Sequence, residues 1–389
     1  MLHIGYDAKR AVANYTGLGN YSRLVIDLMS RNDSPASNHL TLYAPKPGKE
    51  NPRLQPLLSR PNVELKGPTG LWRNFSGLWR LRGGITNDLI ADRIDLFHGL
   101  SNELPLDIHR AGIPSIVTIH DVIFRRCPDN YKPVDRMIYD AKWRHAVKAA
   151  TRIIAISQCT ANDIEYFYGA DPAKISIIYQ GCDPLFHQPV TPEMIEEIKL
   201  RYNLPERYIA CVGTVEPRKN QLLAIRGLQQ LPEDIKLVIA GRGRQPYASQ
   251  VRRAISDLRL TNRVIWIEGV PLPDLPALYA GAQLSAYLSR YEGFGLPAIE
   301  ALACGTPVIA ATGSCLEEAA GKGGLYIDPD DVRGFKEAAN AILSDPTLRA
   351  NLTTEGRQHI ARFSHDNFAA QLERCYHDTL ALYRQTSGK

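Results

Sequence analysis

The stretch that decides the fold reads Ser-Arg-Tyr-Glu-Gly-Phe-Gly-Leu-Pro-Ala-Ile-Glu-Ala-Leu-Ala-Cys-Gly-Thr-Pro and runs from Ser289 to Pro307. The segment before it, Leu284 to Leu288, is mostly apolar and has the length of a buried strand. After the glycines, Ala298 to Ala303 is typical of a helix, and Pro297 suits the first turn of that helix. The sequence therefore predicts a strand, a tight loop and the start of a helix.

Two glycines and two carboxylates make this loop a candidate ligand site. Gly293 and Gly295 permit positive φ and leave space for a ligand against the backbone, and a helix N-terminus suits phosphate. Glu292 and Glu300 flank that anion site, where a carboxylate is better suited to accept hydrogen bonds from sugar or ribose hydroxyls. Taken singly, either glutamate is more simply a solvated loop or helix residue, so the interpretation depends on the whole pattern.

The whole pattern resembles that of a known family. From Glu292 to Val308 the chain is similar to the signature of the retaining glycosyltransferases of family 4, in which Glu-Gly-Phe-Gly-Leu-Pro is followed by a second Glu and by Ala-Cys-Gly-Thr-Pro-Val. The resemblance implies the α/β fold called GT-B, with two doubly wound parallel-sheet (Rossmann-like) domains facing across a cleft. It also implies that the loop and the helix start bind the donor, through Gly293, Phe294, Gly295 and Leu296.

Length and composition are those of an ordinary globular protein. The 389 residues suit two domains, and 44% hydrophobic with 22% charged residues argues against a fibrous or disordered chain. The net charge of +5 is too small to indicate nucleic-acid binding. Seven scattered cysteines without a Cys-x-x-Cys pair favour free thiols in a reducing compartment. Because the sequence has neither a signal-peptide pattern nor an apolar run of about 18 residues, we expect a cytoplasmic protein.

Predicted strands and helices alternate along the chain, which indicates doubly wound parallel sheets. The segment Pro184 to Pro192 has no regular pattern and is the predicted hinge. With the resemblance, this organisation predicts an acceptor-side domain at 1–185 and a nucleotide-sugar-binding domain at 186–365. The remaining residues, 366–389, are predicted to form a helix that crosses back to the first domain.

The loop after the strand predicted at 208–212 carries two adjacent cations. Arg218 and Lys219, at a strand end and before a helix, can neutralise a diphosphate, although adjacent cations more often lie on a solvated surface. The family holds the leaving nucleotide's phosphates here with Gly-Arg and a later Lys, which Lys219 matches. Thr214 stands where many members have Arg. By resemblance to the Glu-Pro-Arg-Lys-Asn subgroup, we expect Arg218 to take the role of that missing arginine.

Glycines in the first domain mark a second candidate loop. Gly17 and Gly19 lie between the strand predicted at 3–6 and the helix predicted at 21–29. The family carries a Gly-x-Gly loop here, near the acceptor and the donor's phosphate. An ordinary turn between a strand and a helix explains such glycines equally well.

Histidines follow two strands of the first domain. His120 and Asp121 come directly after the strand predicted at 115–119, and they resemble the His-Asp of the family. The resemblance implies that His120 lies by the transferred sugar, and Asp121 is then a candidate to fix its ring. His98, at the end of the strand predicted at 95–98, is a weaker candidate.

The segment Trp72 to Arg82 combines aromatic, leucine and arginine side chains without an acidic residue. Such a segment either lies in the interface of an anionic membrane or packs its apolar side against the core with a solvated basic edge. The first alternative predicts peripheral contact with the cytoplasmic face of the inner membrane.

The resemblance implies glycosyl transfer with retention, in which Glu292 and His120 contact the sugar and Glu300 the ribose. GDP-mannose is the expected donor and a glycan or lipid-linked glycan of bacterial surface polysaccharide, such as O-antigen, the expected acceptor. UDP- and dTDP-sugars such as rhamnose stay open, as do a GT-B nucleotide-sugar epimerase and a catalytically silent assembly partner. No cofactor, metal or nucleic acid is expected, because the nucleotide sugar is a substrate.

Overall fold

The alternation predicted from the sequence is present as two parallel sheets, in a computed structural model that describes residues 2–31, 38–48 and 51–387. One unit of the chain comprises Met1–Arg125, Tyr131–Gln180 and His365–Lys389, and the other comprises Arg126–Asn130 and Gly181–Ser364. The predicted boundaries, after 185 and after 365, thus lie five residues and one residue beyond the ends of these units.

The strands of the N-terminal unit run parallel in the order β3-β2-β1-β4-β5-β6-β7. The order reverses between β1 and β4, as in a doubly wound sheet. These strands are β1 (His3–Asp7), β2 (His39–Tyr43), β3 (Val63–Lys66), β4 (Leu96–Gly99), β5 (Ser115–Ile119), β6 (Arg152–Ala155) and β7 (Ile175–Ile177).

The C-terminal unit has a second parallel sheet, in the order β10-β9-β8-β11-β12-β13, which reverses between β8 and β11. The prediction of two doubly wound parallel sheets is confirmed. These strands are β8 (Tyr208–Val212), β9 (Lys236–Ala240), β10 (Val264–Ile267), β11 (Leu284–Tyr287), β12 (Val308–Ala311) and β13 (Gly324–Ile327).

Helices connect the strands and cover both sheets. In chain order they are α1 (Lys9–Ala13), α2 (Gly17–Met29), α3 (Gln55–Leu58), α4 (Ser76–Leu81), α5 (Gly84–Ala91), α6 (Ile123–Arg126), α7 (Pro133–Ala149), α8 (Gln158–Tyr168), α9 (Pro192–Tyr202), α10 (Gln221–Leu228), α11 (Tyr247–Asp257), α12 (Leu275–Ala280), α13 (Leu296–Ala303), α14 (Leu316–Ala320), α15 (Val332–Ser344), α16 (Pro346–Ile360) and α17 (His365–Ser387).

Central strands are buried on both faces, which is why they read as nearly continuous apolar runs. In the C-terminal unit, the core contains Ile209, Leu237 and Ile309 of the sheet with Phe335 of α15. The last helix, α17, belongs to the N-terminal unit, where Tyr376 shares a hydrogen bond of 3.1 Å with Tyr6 of β1.

Some predicted boundaries are wrong. The helix predicted at 21–29 begins at Gly17, so Gly17 and Gly19 lie in its first turn and not in a loop. The helix predicted at 298–303, with Pro297 at its start, begins one residue before that proline, at Leu296. Helix α16 was not predicted, because its sequence is polar and has no strong apolar periodicity.

Candidate active site

The loops that carry the predicted donor residues meet at the reversal point of the C-terminal sheet. Strands β8 and β11 are neighbours, with Ile209 opposite Leu284 and Ala210 opposite Ser285. Their carboxyl ends therefore lie at the same edge, and the connections leave this edge on opposite faces of the sheet. Doubly wound sheets bind ligands in the crevice at such a point.

The loop after β8 is held in place by backbone contacts. Gly213 has a φ of 134°, and Val215 N–H donates to the carbonyl of Arg242 over 2.9 Å. A short 3-10 turn follows, and Asn220, in the left-handed region with φ of 56°, anchors it by donating to the carbonyl of Pro329 over 2.7 Å. This turn fixes the position of the two cations at its end.

The loop after β11 packs against the first loop. Arg290 N–H donates to the carbonyl of Arg218 over 2.8 Å, which joins the two loops. Gly295, just before α13, has a φ of 107°, and a Cβ there would lie 2.8 Å from Cδ2 of Leu316. Only glycine fits this position without strain, because both the backbone conformation and the space exclude a side chain.

Glu292 forms ion pairs with both predicted phosphate-binding cations. Its Oε1 lies 2.6 Å from Nη1 of Arg218 and 2.6 Å from Nζ of Lys219. Burial alone would raise the pKa of Glu292, but the charges of Lys219 and Arg218 outweigh burial and lower it to about 2. The carboxylate is thus ionised at neutral pH and orients two cations at the edge of the sheet.

Further side chains hold the same cations, and sequence reasoning missed them. Arg218 donates through Nη2 to Glu216 over 2.7 Å and through Nη1 to the carbonyl of Tyr291 over 2.8 Å. Lys219 Nζ donates to the hydroxyl of Tyr287, the last residue of β11, over 2.7 Å. No local motif marks Tyr287, since only the pairing of β8 with β11 brings it to Lys219.

Glu300 lies one turn inside α13 and is half-buried. The Tyr279 hydroxyl donates to its Oε2 over 3.3 Å. Burial raises the pKa of Glu300 to about 7, against the opposing effects of Tyr279 and Lys219. Glu292 and Glu300 therefore differ in charge near neutral pH. Two cations contact Glu292, whereas no cation among the residues described lies within 4.0 Å of the Glu300 carboxylate.

His120, in the N-terminal unit, follows β5 and is almost completely buried. Its Nε2 donates to the carbonyl of Leu100 over 2.9 Å, and Tyr21 packs edge-on against the ring at 4.6 Å between centroids. Burial lowers the pKa of His120 to about 4, so the imidazole is neutral at pH 7. Because Nε2 carries the proton, Nδ1 is left as an acceptor.

Asp121 was a candidate to fix this ring, but the hydrogen bond to the ring is made by another group. Asp121 Oδ1 accepts from the N–H of Ile123 over 3.1 Å, and the Leu100 carbonyl takes the role at the ring. His98, the weaker candidate, is fully buried and hydrogen bonded on both sides, to Thr118 and to Tyr376, each at 2.8 Å. These contacts are those of a core histidine.

The two glycines near the start of α2 have different surroundings. A Cβ on Gly19 would lie 1.9 Å from the carbonyl oxygen of Asn14, so the helix start requires glycine there for packing. The Gly19 N–H already donates to Asn14 Oδ1 over 3.2 Å. Nothing lies within 4 Å of a Cβ on Gly17, which leaves space beside that residue.

The aromatic and basic segment Trp72 to Arg82 is divided between core and surface. Trp79 is 1% exposed, and Arg80 is buried in ion pairs. Within the segment, Phe75 and Leu78 are 61% and 52% exposed, and Leu71, just before it, is 86% exposed. Core packing therefore holds for Trp79 and Arg80, and membrane contact of the exposed side chains stays a prediction.

Two family models together match most of the chain. The family described as "Glycosyltransferase Family 4" matches residues 26–185, and the family described as "Glycosyl transferases group 1" matches residues 194–359. The first match begins after β1 and contains β2 to β7, and the second contains the reversal between β8 and β11. The fold and the two family matches define a glycosyltransferase of the GT-B class.

Relatives agree with this class. The chain is 30% identical over 292 residues to O-antigen chain mannosyltransferase B of Escherichia coli, covering 72% of this chain and 74% of that protein. It is 31% identical over 328 residues to D-inositol 3-phosphate glycosyltransferase of Salinispora arenicola, covering 77% and 72%. Anabaena Alr3699/HepE in complex with UDP and glucose has the same fold, with a TM-score of 0.76 and 20% identity, covering 97% of this chain and all of that one. The chain belongs to the family 4-like glycosyltransferases.

Two features are absent from the residues that the structure describes. No helix in 2–31, 38–48 and 51–387 is long and apolar enough to cross a membrane. No group of three or more His, Cys, Asp or Glu side chains in the same ranges is arranged to hold a metal ion.

Proposed function

We propose that the protein is a retaining glycosyltransferase that moves mannose from GDP-mannose to a glycan or lipid-linked glycan in the assembly of a bacterial surface polysaccharide. The observation that carries the proposal is the contact of Glu292 with both Arg218 and Lys219 at the reversal between β8 and β11, with Glu300 one turn into α13.

The cations of this site are suited to the leaving group. When the bond between the anomeric carbon and the donor's phosphate oxygen breaks, negative charge builds on the diphosphate. Arg218 and Lys219 are already oriented, so they stabilise this charge in the transition state without reorganising. For retention, the acceptor oxygen attacks the same face of the sugar, and its proton passes to the departing phosphate oxygen.

Three side chains are assigned to hydroxyl groups of the donor. Glu292, ionised and buried, accepts from a sugar hydroxyl, and Glu300 accepts from the ribose. Nδ1 of His120 accepts a hydrogen bond from a sugar hydroxyl, because the proton on Nε2 is donated to the Leu100 carbonyl. The backbone from Gly293 to Leu296, and Gly17 near the start of α2, complete the proposed donor contacts. The proposed reaction needs no metal or cofactor.

The choice of mannose is supported by the mannosyltransferase of Escherichia coli. The Salinispora relative, which has similar identity, supports a second candidate, in which the acceptor is a phosphorylated cyclitol. UDP- and dTDP-sugars remain the alternative donors.

We assign the protein to the cytoplasm, with peripheral contact at the membrane. The exposed Leu71, Phe75 and Leu78 can enter the interface of a bilayer, while Arg73 and Arg82 attract anionic lipid. Trp79 and Arg80 take no part, because they belong to the core. A lipid-linked acceptor would be reached from that position.

The test is donor turnover with a panel of GDP-mannose, UDP-glucose and dTDP-rhamnose, offered with lipid-linked oligosaccharide. We expect one donor to release its nucleoside diphosphate. The NMR coupling constants of the product should show the same anomeric configuration as the donor sugar. Inversion at the anomeric carbon contradicts the retaining mechanism. Isomerised donor without transfer supports the epimerase alternative, and binding to anionic vesicles without turnover supports the silent assembly partner.

A further inference from the structure

A second group of charges lies at the carboxyl edge of the N-terminal sheet. Strand β4 pairs with β1 on one side and with β5 on the other. The residues that follow these three strands, among them Asp7, Glu103 and His120, therefore leave the sheet at one edge. The sheet order reverses here, between β1 and β4, as it does at the donor site of the other unit.

The carboxylates of this group are fully committed to other partners. Arg80 donates through Nε to Asp7 Oδ2 over 2.8 Å and through Nη1 to Glu103 Oε2 over 2.6 Å. Lys142 Nζ contacts the second oxygen of Glu103 at 3.2 Å. Arg80, Asp7 and Glu103 are all buried, so this network holds the edge of the sheet in a fixed arrangement.

Two further cations stand beside the network without partners of their own. Lys9 and Arg10 begin α1, two and three residues after β1 ends, and both are half-buried. In the described ranges, neither side chain has a carboxylate oxygen within 4.0 Å or a hydrogen bond to another group. Burial, and then the charges of Arg80 and Arg10, lower the pKa of Lys9 despite the opposing charges of Glu103 and Asp7.

Arg10 is near enough to the proposed sugar-binding histidine for its charge to act on the ring. After burial, the charge of Arg10 is one of the influences that lower the pKa of His120. The neighbouring carboxylate of Asp121 accepts from the N–H of Ile123. The positive charges of Arg80, Lys9 and Arg10 repel one another, and Glu103 and Asp7 offset this repulsion only in part. An anionic ligand would relieve the rest.

We propose that Lys9 and Arg10 form a subsite for a phosphate group of the acceptor. The guanidinium supplies two parallel donors to phosphate oxygens, and the ammonium supplies a point charge. This inference rests on the proposed function and names its acceptor class, a glycan or sugar that carries a phosphate ester. The diphosphate of the donor is the other source of the same chemistry, and the experiment separates the two sources.

The test measures the affinity of inorganic phosphate by 31P NMR titration in a Lys219→Ala background, which removes the proposed donor site. Phosphate affinity should fall about tenfold in the Lys9→Gln/Arg10→Gln variant, as expected for loss of charge-assisted hydrogen bonds. The matched control, Lys148→Gln/Arg374→Gln, removes the same charge from exposed positions of the same unit and should change affinity less than about twofold. Equal losses in both variants, or no phosphate binding in any, would overturn the inference.

A second arm decides the source of the phosphate. With Lys219 intact, the Lys9→Gln/Arg10→Gln variant should bind GDP as tightly as wild type does. A tenfold loss of GDP affinity in this variant would assign the subsite to the donor and overturn the acceptor assignment. If wild-type protein binds no nucleotide, the proposed function fails while the phosphate titration still decides the subsite. The Arg10→Lys variant, which keeps the charge, should lose about threefold and so exclude misfolding as the cause.

Discussion

The ion pairs of Glu292 should contribute measurably to the stability of the C-terminal unit. Its pKa is lowered from the ordinary 4.5 to about 2, which at about 1.4 kcal/mol per pKa unit corresponds to about 3 kcal/mol. The side chain is 10% exposed, so solvent screening reduces this contribution little. The Glu292→Gln substitution should therefore lower the free energy of unfolding of this unit by about 3 kcal/mol at pH 7.

The pH dependence gives the sign of this contribution. A carboxyl group whose pKa is lower in the folded state stabilises that state above its unfolded pKa, near 4.5, and loses the contribution as pH falls toward 2. The difference between wild type and Glu292→Gln should therefore shrink to about 1 kcal/mol at pH 3.

Hydrogen exchange of the amides in β11, read by mass spectrometry, measures the effect within this unit. A loss of about 3 kcal/mol should accelerate their exchange about a hundredfold at pH 7. Glu337→Gln is the matched control, because it removes one partner of an exposed ion pair with Arg333 and should change exchange less than about threefold. An acceleration below tenfold for Glu292→Gln, or an equal one for the control, would refute the electrostatic account of this site.

Three more substitutions test other parts of the structure. Burial raises the pKa of Glu300 to about 7, so the affinity for the donor sugar, measured by calorimetry, should rise about tenfold from pH 6 to pH 8. Glu300→Gln should remove this pH dependence, and a wild-type affinity that does not change with pH would contradict the role of Glu300. Gly295→Ala should lower the free energy of unfolding by about 1 to 3 kcal/mol, because of its positive φ and the nearby Leu316, and no change in urea unfolding would contradict that reason. Arg80→Met should cost about 3 to 5 kcal/mol in the same assay, because Asp7 is left buried without its partner, and a loss below 1 kcal/mol would contradict it.

Much of the fold could be predicted because its elements have local causes. The strands predicted at 115–119 and 208–212 have the predicted bounds, since apolar runs and turn residues delimit them. The start of α2 was misplaced because glycine is a poor helix former. Gly19 lies in that helix because of packing, since a Cβ there would collide with Asn14.

The candidate site could be predicted only in part. The motif around Glu292 predicted a strand, a loop and a helix start, which the structure contains, but the contact of Glu292 with Arg218 and Lys219 depends on the pairing of β8 with β11. The partners Tyr287 and Tyr279 carry no local signal for the same reason. Residues far apart in the sequence are joined by tertiary structure, which neither motif nor periodicity encodes.

The measurement that tests the central claim most directly is the affinity of GDP-mannose for wild type, Lys219→Ala and Lys322→Ala, by isothermal titration calorimetry. If the donor's diphosphate binds at the reversal between β8 and β11, Lys219→Ala should weaken binding about 30-fold or more. Lys322 is exposed in the same unit, and its substitution should leave affinity unchanged. Equal affinity of wild type and Lys219→Ala for GDP-mannose, or for whichever UDP- or dTDP-sugar binds instead, would contradict the account.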